Sequence, residues 1–129
     1  INCGTDMEPG LRADYAGRQN VLLTHPLDRE TGCLLSRKVN IPANKRTILR
    51  VVVARDTRGD FDLIVRANDA ELLRKPVNKE TTTNDLWLIE EIDLSKLGGK
   101  NGVKLEVINQ ASGWSYEAAY WAGLEIVSK

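Results

Sequence analysis

The sequence predicts an all-β fold, a jelly-roll β-sandwich of about eight antiparallel strands. Three observations predict it. Short runs that alternate apolar and polar residues, or are rich in β-branched ones, recur from residue 20 to the end of the chain at intervals of 10–17 residues. Clusters of Gly, Asn, Asp and Pro punctuate the gaps between them. Helix-patterned sequence is scarce.

The first run, residues 20–24, closes at His25-Pro26, a strand end before a rigid turn. The second, 34–41, stops at Pro42-Ala43-Asn44-Lys45. The third, 47–54, is apolar on both faces around Arg50, which predicts a central strand covered on its second side as well. Asp56-Thr57-Arg58-Gly59-Asp60 follows as a turn. In 61–67 the residues Phe61, Leu63, Val65 and Ala67 share one face, while Asp62 and Arg66 take the other with Ile64 between them.

Asn68 and Asp69 both tolerate positive φ, so they predict a tight hairpin into the run 71–75. Asn84-Asp85 turns the chain into 86–94, where Trp87 is a packing residue. The segment from Asp93 to Gly99 reads as one short helical turn, capped by Ser95 or Asp93 and stopped by Gly98. After the turn 98–102, Val103, Leu105 and Val107 face inward and Lys104 and Glu106 face water. These phases place Phe61, Leu63 and Val65 on one core with Val103, Leu105 and Val107. The last run, 120–127, brings Trp121 to the end of the core as a plug.

The chain has 129 residues, the size of a single domain with a proper core. Apolar content of 42% and charged content of 28% place it among ordinary globular domains. Lys plus Arg and Asp plus Glu number 18 each, so no net field points to nucleic acid or an anionic membrane as partner. No apolar run has the length of a membrane-spanning helix. The chain starts at Ile1 rather than Met, which leads us to expect a domain excised from a larger multidomain protein.

Cys3 and Cys33 are the whole thiol inventory, and two readings stay open. They are small buried hydrophobes, or they form one disulfide that pins the N-terminal arm, as expected if the protein is exported. With one histidine, they offer no metal-ligand spacing.

No catalytic motif accompanies His25: there is no Gly-x-Ser-x-Gly and no His-Glu-x-x-His. A carboxylate pair for glycoside hydrolysis would have to come from Asp60, Asp62, Glu117 or Glu125, which ordinary surface charge explains equally well. Arg58-Gly59-Asp60 reads as a turn, with Gly59 where a tight turn requires it. Asp56, Asp60 and Asp62 are spaced somewhat like calcium ligands but lack the central Gly and the distal Glu; a looser structural Ca²⁺ site stays open, and no other cofactor is expected.

The strongest functional signal is the segment 113–127, which holds four of the seven aromatics, Trp114, Tyr116, Tyr120 and Trp121, within eight residues. Flat rings cover the C–H faces of sugars while amides, carboxylates and guanidinium groups grip the hydroxyls. Trp114 and Tyr116 supply the rings here. Asn109, Gln110 and Glu117, with Arg58 and Asp60 from the turn 56–60, supply the polar groups. For Trp114, flanked by Gly113 and Ser115, exposure as a platform and burial as a plug are both open.

The chain from Thr47 onward resembles the NPCBM-type module, a galactose-binding-domain-like β-sandwich. The residues that carry the resemblance are 51–59, 61–73, Glu91-Ile92-Asp93-Leu94-Ser95, 103–109 and Glu117-Ala118-Ala119-Tyr120-Trp121-Ala122. The loop 109–116 departs from the family's Gly-Asp-rich pattern, and the acid is Glu117 rather than Asp. The resemblance implies a non-catalytic carbohydrate-binding module attached to an extracytoplasmic enzyme, in a secreted or extracytoplasmic setting. It implies Glu117 as the family's acid, turned back on the loop backbone or toward a cation. The alternative is an accessory domain that packs on, or recognises, other domains of the same polypeptide or another protein.

Overall fold

In a computed structural model, which describes residues 3–129, nine strands form two antiparallel sheets. They are β1 (Gly10–Tyr15), β2 (Arg18–Thr24), β3 (Cys33–Val39), β4 (Thr47–Arg55), β5 (Phe61–Ala67), β6 (Ala70–Val77), β7 (Trp87–Asp93), β8 (Val103–Gln110) and β9 (Ala119–Ser128). One sheet has the order β1-β2-β9-β4-β7 and the other β3-β8-β5-β6. All eight expected runs are strands. The additional one, β1, is an edge strand without a fully buried side chain, so it left no apolar pattern to read.

The inner faces meet in one core. Phe61, Leu63 and Val65 lie in it with Val103, Leu105 and Val107, joined by Val51, Val53 and Trp121. Opposite numbers on β5 and β8, such as Val65 and Val107, are direct cross-strand partners. Asn68 and Asp69 both take positive φ (48° and 69°), the conformation the hairpin demands. Pro76 is accommodated within β6 because that strand is a sheet edge, where a missing N–H breaks no ladder.

The second side of β4 is also covered, as its two-sided apolar pattern predicts. Val52 and Ala54 pack there with Val21, Leu23, Trp87 and Tyr120. The cover is the β1–β2 hairpin. Asn20 adopts φ 57°, which breaks the regular pairing and lets the arm fold across the outer face. Tyr15 then stacks on Tyr120 with ring centroids 3.6 Å apart and donates to the Arg55 carbonyl at 2.8 Å. Trp87 Nε1 donates to the Ala16 carbonyl at 2.9 Å.

One local expectation needs correction. Glu106 does not face water: it is buried on the outer face of the four-stranded sheet, 3.3 Å from Arg66, with Ile64 and Ile108 buried beside it. The turn Ser95–Leu97 stops at Gly98 as expected, and the left-handed residue follows at Gly99 (φ 85°). Of the two cap candidates, Asp93 accepts from the Ser95 amide at 2.8 Å, while the Ser95 hydroxyl accepts from the Thr47 amide at 3.0 Å and ties the turn to β4.

Cys3 and Cys33 are joined in a disulfide with their Cα atoms 4.5 Å apart. The bridge lays the arm along the strand end, where the Gly4 amide donates to the His25 carbonyl at 2.9 Å.

Candidate functional site

The loops 25–32, 56–60 and 111–118 converge at one end of the sandwich, and a buried hydrogen-bond chain ties them to the strands. Trp121 Nε1 donates to Thr24 Oγ1 at 2.9 Å, Thr24 donates to Asn109 Oδ1 at 3.1 Å, and Asn109 Nδ2 donates to the Glu117 carbonyl at 3.0 Å. Asn109 is 0% exposed. It therefore sets the position of the loop from below and does not stand at the surface among the ring and the turn. Trp121 is the core plug the sequence predicts.

Glu117 is buried too, at 1% exposure. Its Oε1 accepts from the amides of Ser112 and Gly113, both at 2.7 Å, and lies 3.1 Å from the Ser112 hydroxyl. The carboxylate thus holds the loop closed, turned back on the loop backbone as expected of Glu117. Its Oε2 is buried and has no hydrogen-bond partner among the described residues. Burial pushes the carboxyl above the ordinary glutamate range, against the pull of the two amides, and nearby Asp60 adds to the rise.

That shift has a sign. A folded-state value above the unfolded one means the contribution is most favourable below the unfolded value and is lost as pH rises through the folded value. Glu117→Gln keeps an acceptor for both amides and removes the buried charge. The variant is expected to gain stability relative to the parent as pH goes from about 4 to 7. Denaturant titrations at both values check it, and a constant difference between the two proteins would show that Glu117 does not titrate in that window.

Around this buried frame the surface groups assemble. Asp56 is buried, and its carboxylate accepts from Arg58 Nε at 2.8 Å and Nη2 at 3.0 Å, from the Arg58 amide at 2.9 Å and from Tyr120 Oη at 3.1 Å. Burial raises its pKa, but the bonds from Arg58 and Tyr120 outweigh burial and hold the carboxyl below the usual range. So fixed, the Arg58 guanidinium lies 3.9 Å over the centroid of the Tyr116 ring. Tyr116 sits at φ 51° and is 45% exposed. Asp60 accepts from the Ser112 hydroxyl at 2.6 Å. A hollow of about 240 Å³ opens beside them, lined by Arg58, Asp60, Asn78, Lys79 and Glu80 among others.

Gly59 turns out to be needed for proximity rather than for φ. A Cβ there would collide with the carbonyl oxygens of Ser115 and Tyr116, so the turn 56–60 and the aromatic loop are in backbone contact.

Of the seven candidate residues, the fold groups Tyr116, Arg58 and Asp60 at the surface. Trp114 is half-buried and meets the His25 ring edge-on, centroids 5.2 Å apart. Gln110 is half-buried and donates to the Glu30 carbonyl at 3.2 Å, bracing the loop 25–32. His25 itself is buried, with Nδ1 2.9 Å from the Pro26 carbonyl. The acids 56, 60 and 62 do not converge: Asp56 is committed to Arg58 and Asp60 to Ser112. Among the described residues no group of three or more His, Cys, Asp or Glu side chains is placed to hold a metal ion. Sequence reasoning missed Asp56 as the holder of Arg58, and the polar rim 78–80. The spacing Asp56–Arg58 was the one readable signal for the first.

No protein-family model matches the sequence, and no curated protein matches it. Among solved structures, that of CBM35 from Paenibacillus barcinonensis is similar, with a TM-score of 0.56 at 11% identity, over 94% of this chain and 89% of that one. The chain therefore shares the β-sandwich fold of a carbohydrate-binding module.

Proposed function

We propose that this domain is a non-catalytic carbohydrate-binding module of an extracytoplasmic enzyme, akin to the NPCBM-type modules, and that it takes its sugar at the aromatic loop end. The observation that carries this reading is the exposed Tyr116 ring, held in place by its strained backbone and by Arg58, which also lines a polar hollow. A ring left half in water, with its backbone set and Arg58 over one face, is preorganised to cover the C–H face of a sugar with the other. Arg58, Asp60, Lys79 and Glu80 stand where hydroxyls of such a ligand would lie. Likeness in fold to a carbohydrate-binding module supports the same reading, and the disulfide suits an oxidising compartment.

With one ring and a few hydrogen bonds, binding is expected in the range of about 0.1–1 mM, because little area is buried to offset the ligand's lost freedom. A glycan array on the 129-residue chain, followed by calorimetry, identifies the sugar. Tyr116→Ala is then expected to weaken binding by about tenfold or more, while folding stability changes by less than about 1 kcal/mol. Undiminished affinity in both Tyr116→Ala and Arg58→Ala would overturn the site.

A further inference from the structure

The side of the sandwich away from the aromatic loop carries an unfilled strand position. β2 supplies partners for only Ala119, Tyr120 and Trp121 of β9 before its arm turns away over the outer face. Residues 122–128 of β9 therefore have β4 along one side and, among the described residues, no strand along the other. The facing edge of the other sheet is β3, which pairs with β8 alone.

Between these two edges runs a groove of about 520 Å³. Leu35, Arg37 and Val39 of β3 form one wall, and Leu124 and Ile126 of β9, both exposed, form the other. Free backbone donors and acceptors beside bare hydrocarbon describe a place for one more strand.

We propose that this groove docks an extended segment of a partner protein or domain, added as a strand to β9, which presents apolar, acidic and apolar side chains at alternate positions. The free edge calls for an extended backbone, because only a strand satisfies a row of strand N–H and C=O groups. The side-chain order follows from β3. Leu35, Arg37 and Val39 are paired with the core residues Val107, Leu105 and Val103, so all three point into the groove at a period of two. Arg37 is the one charged residue in the lining and has no ion-pair partner among the described residues.

A second copy of this chain is the poorer occupant. The free edge of β9 in a second copy would bring Leu124 and Ile126 but no acid to Arg37, and β3 of a second copy would bring Arg37 itself, a like charge. An acidic strand meets no such repulsion.

The test uses the 129-residue chain and a capped seven-residue peptide, alternating Thr with Val, Glu and Val, against its analogue with Lys at the centre. Amide chemical shifts are followed by NMR at low salt. The expected result is movement confined to residues 122–128 and 33–39. The Glu peptide should bind roughly fivefold tighter than the Lys peptide, with the order inverted in Arg37→Glu. The proposal is overturned if millimolar peptide leaves those amides unmoved, or if Arg37→Glu preserves the order. A solution mass of two chains with residues 122–128 protected from exchange would also overturn it, since the edge would then belong to a second copy.

Discussion

Phe61→Ala is expected to cost about 3–5 kcal/mol of folding stability, at the top of the range for truncating a single core side chain. Phe61 is the only phenylalanine, is 0% exposed, and begins β5 directly opposite Val77. Its ring fills the core between the sheets with Val51, Val65 and Trp121. Truncation removes the transfer free energy of the ring and leaves a cavity that two hydrogen-bonded sheets cannot close. Against a total of about 5–15 kcal/mol for a domain, the variant is expected to be marginal at room temperature. Denaturant titration measures it, with an unchanged m-value showing that the folded and unfolded states keep their extents. A loss under about 1 kcal/mol would mean that the inner face of β5 is not the core.

Removal of the Cys3–Cys33 bridge, by Cys33→Ala or by reduction, is expected to cost about 3–4 kcal/mol, from the loop it closes in the unfolded chain. The bridge spans 30 residues, a separation that includes the β1–β2 hairpin and the loop 25–32. Its folded-state consequence is local. Cys33 pairs directly with Asn109, and the arm it anchors bonds the His25 carbonyl, whose ring supports Trp114. Reduction is therefore expected to expose Trp114 to water as well as to lower the denaturation midpoint. A red shift of tryptophan emission reports the first effect. An unchanged midpoint under reducing conditions would show that the arm is held by its packing alone.

The legible part of this fold was the part with a period. Phe61, Leu63 and Val65 announced their shared face because a pleated strand sends alternate side chains to opposite sides, and Asn68-Asp69 announced its hairpin because few residues tolerate both φ values. β1 had no such signal. Its Leu11 is 80% exposed, so nothing in its composition separates it from a loop. Glu106 was assigned to water by the same alternation that succeeded elsewhere, because a one-strand pattern does not see that Ile64 and Ile108 bury the outer face of the sheet.

For the candidate site, composition located the loop and its aromatic character, and it named Tyr116, Arg58 and Asp60, which the fold places together at the surface. It grouped them with Asn109 and Glu117, whose polar side chains look alike on paper whether they serve a ligand or a backbone. Burial distinguishes them. The chain from Trp121 through Thr24 to Asn109 joins residues 97 and 85 positions apart, and such a network exists only after β2 and β9 of one sheet are packed against β8 of the other. The identity of the eight strands β2–β9, the inward phase of β5 and β8 and the turn chemistry are local properties, set by the pleat and by allowed φ, and the sequence alone determined them. Which polar groups are buried, why Gly59 admits no side chain, how the hairpin arm covers β4 and where a strand is missing beside β9 are matters of distant segments meeting. Those the tertiary structure decided, because desolvation and hydrogen-bond pairing depend on neighbours that no stretch of sequence contains.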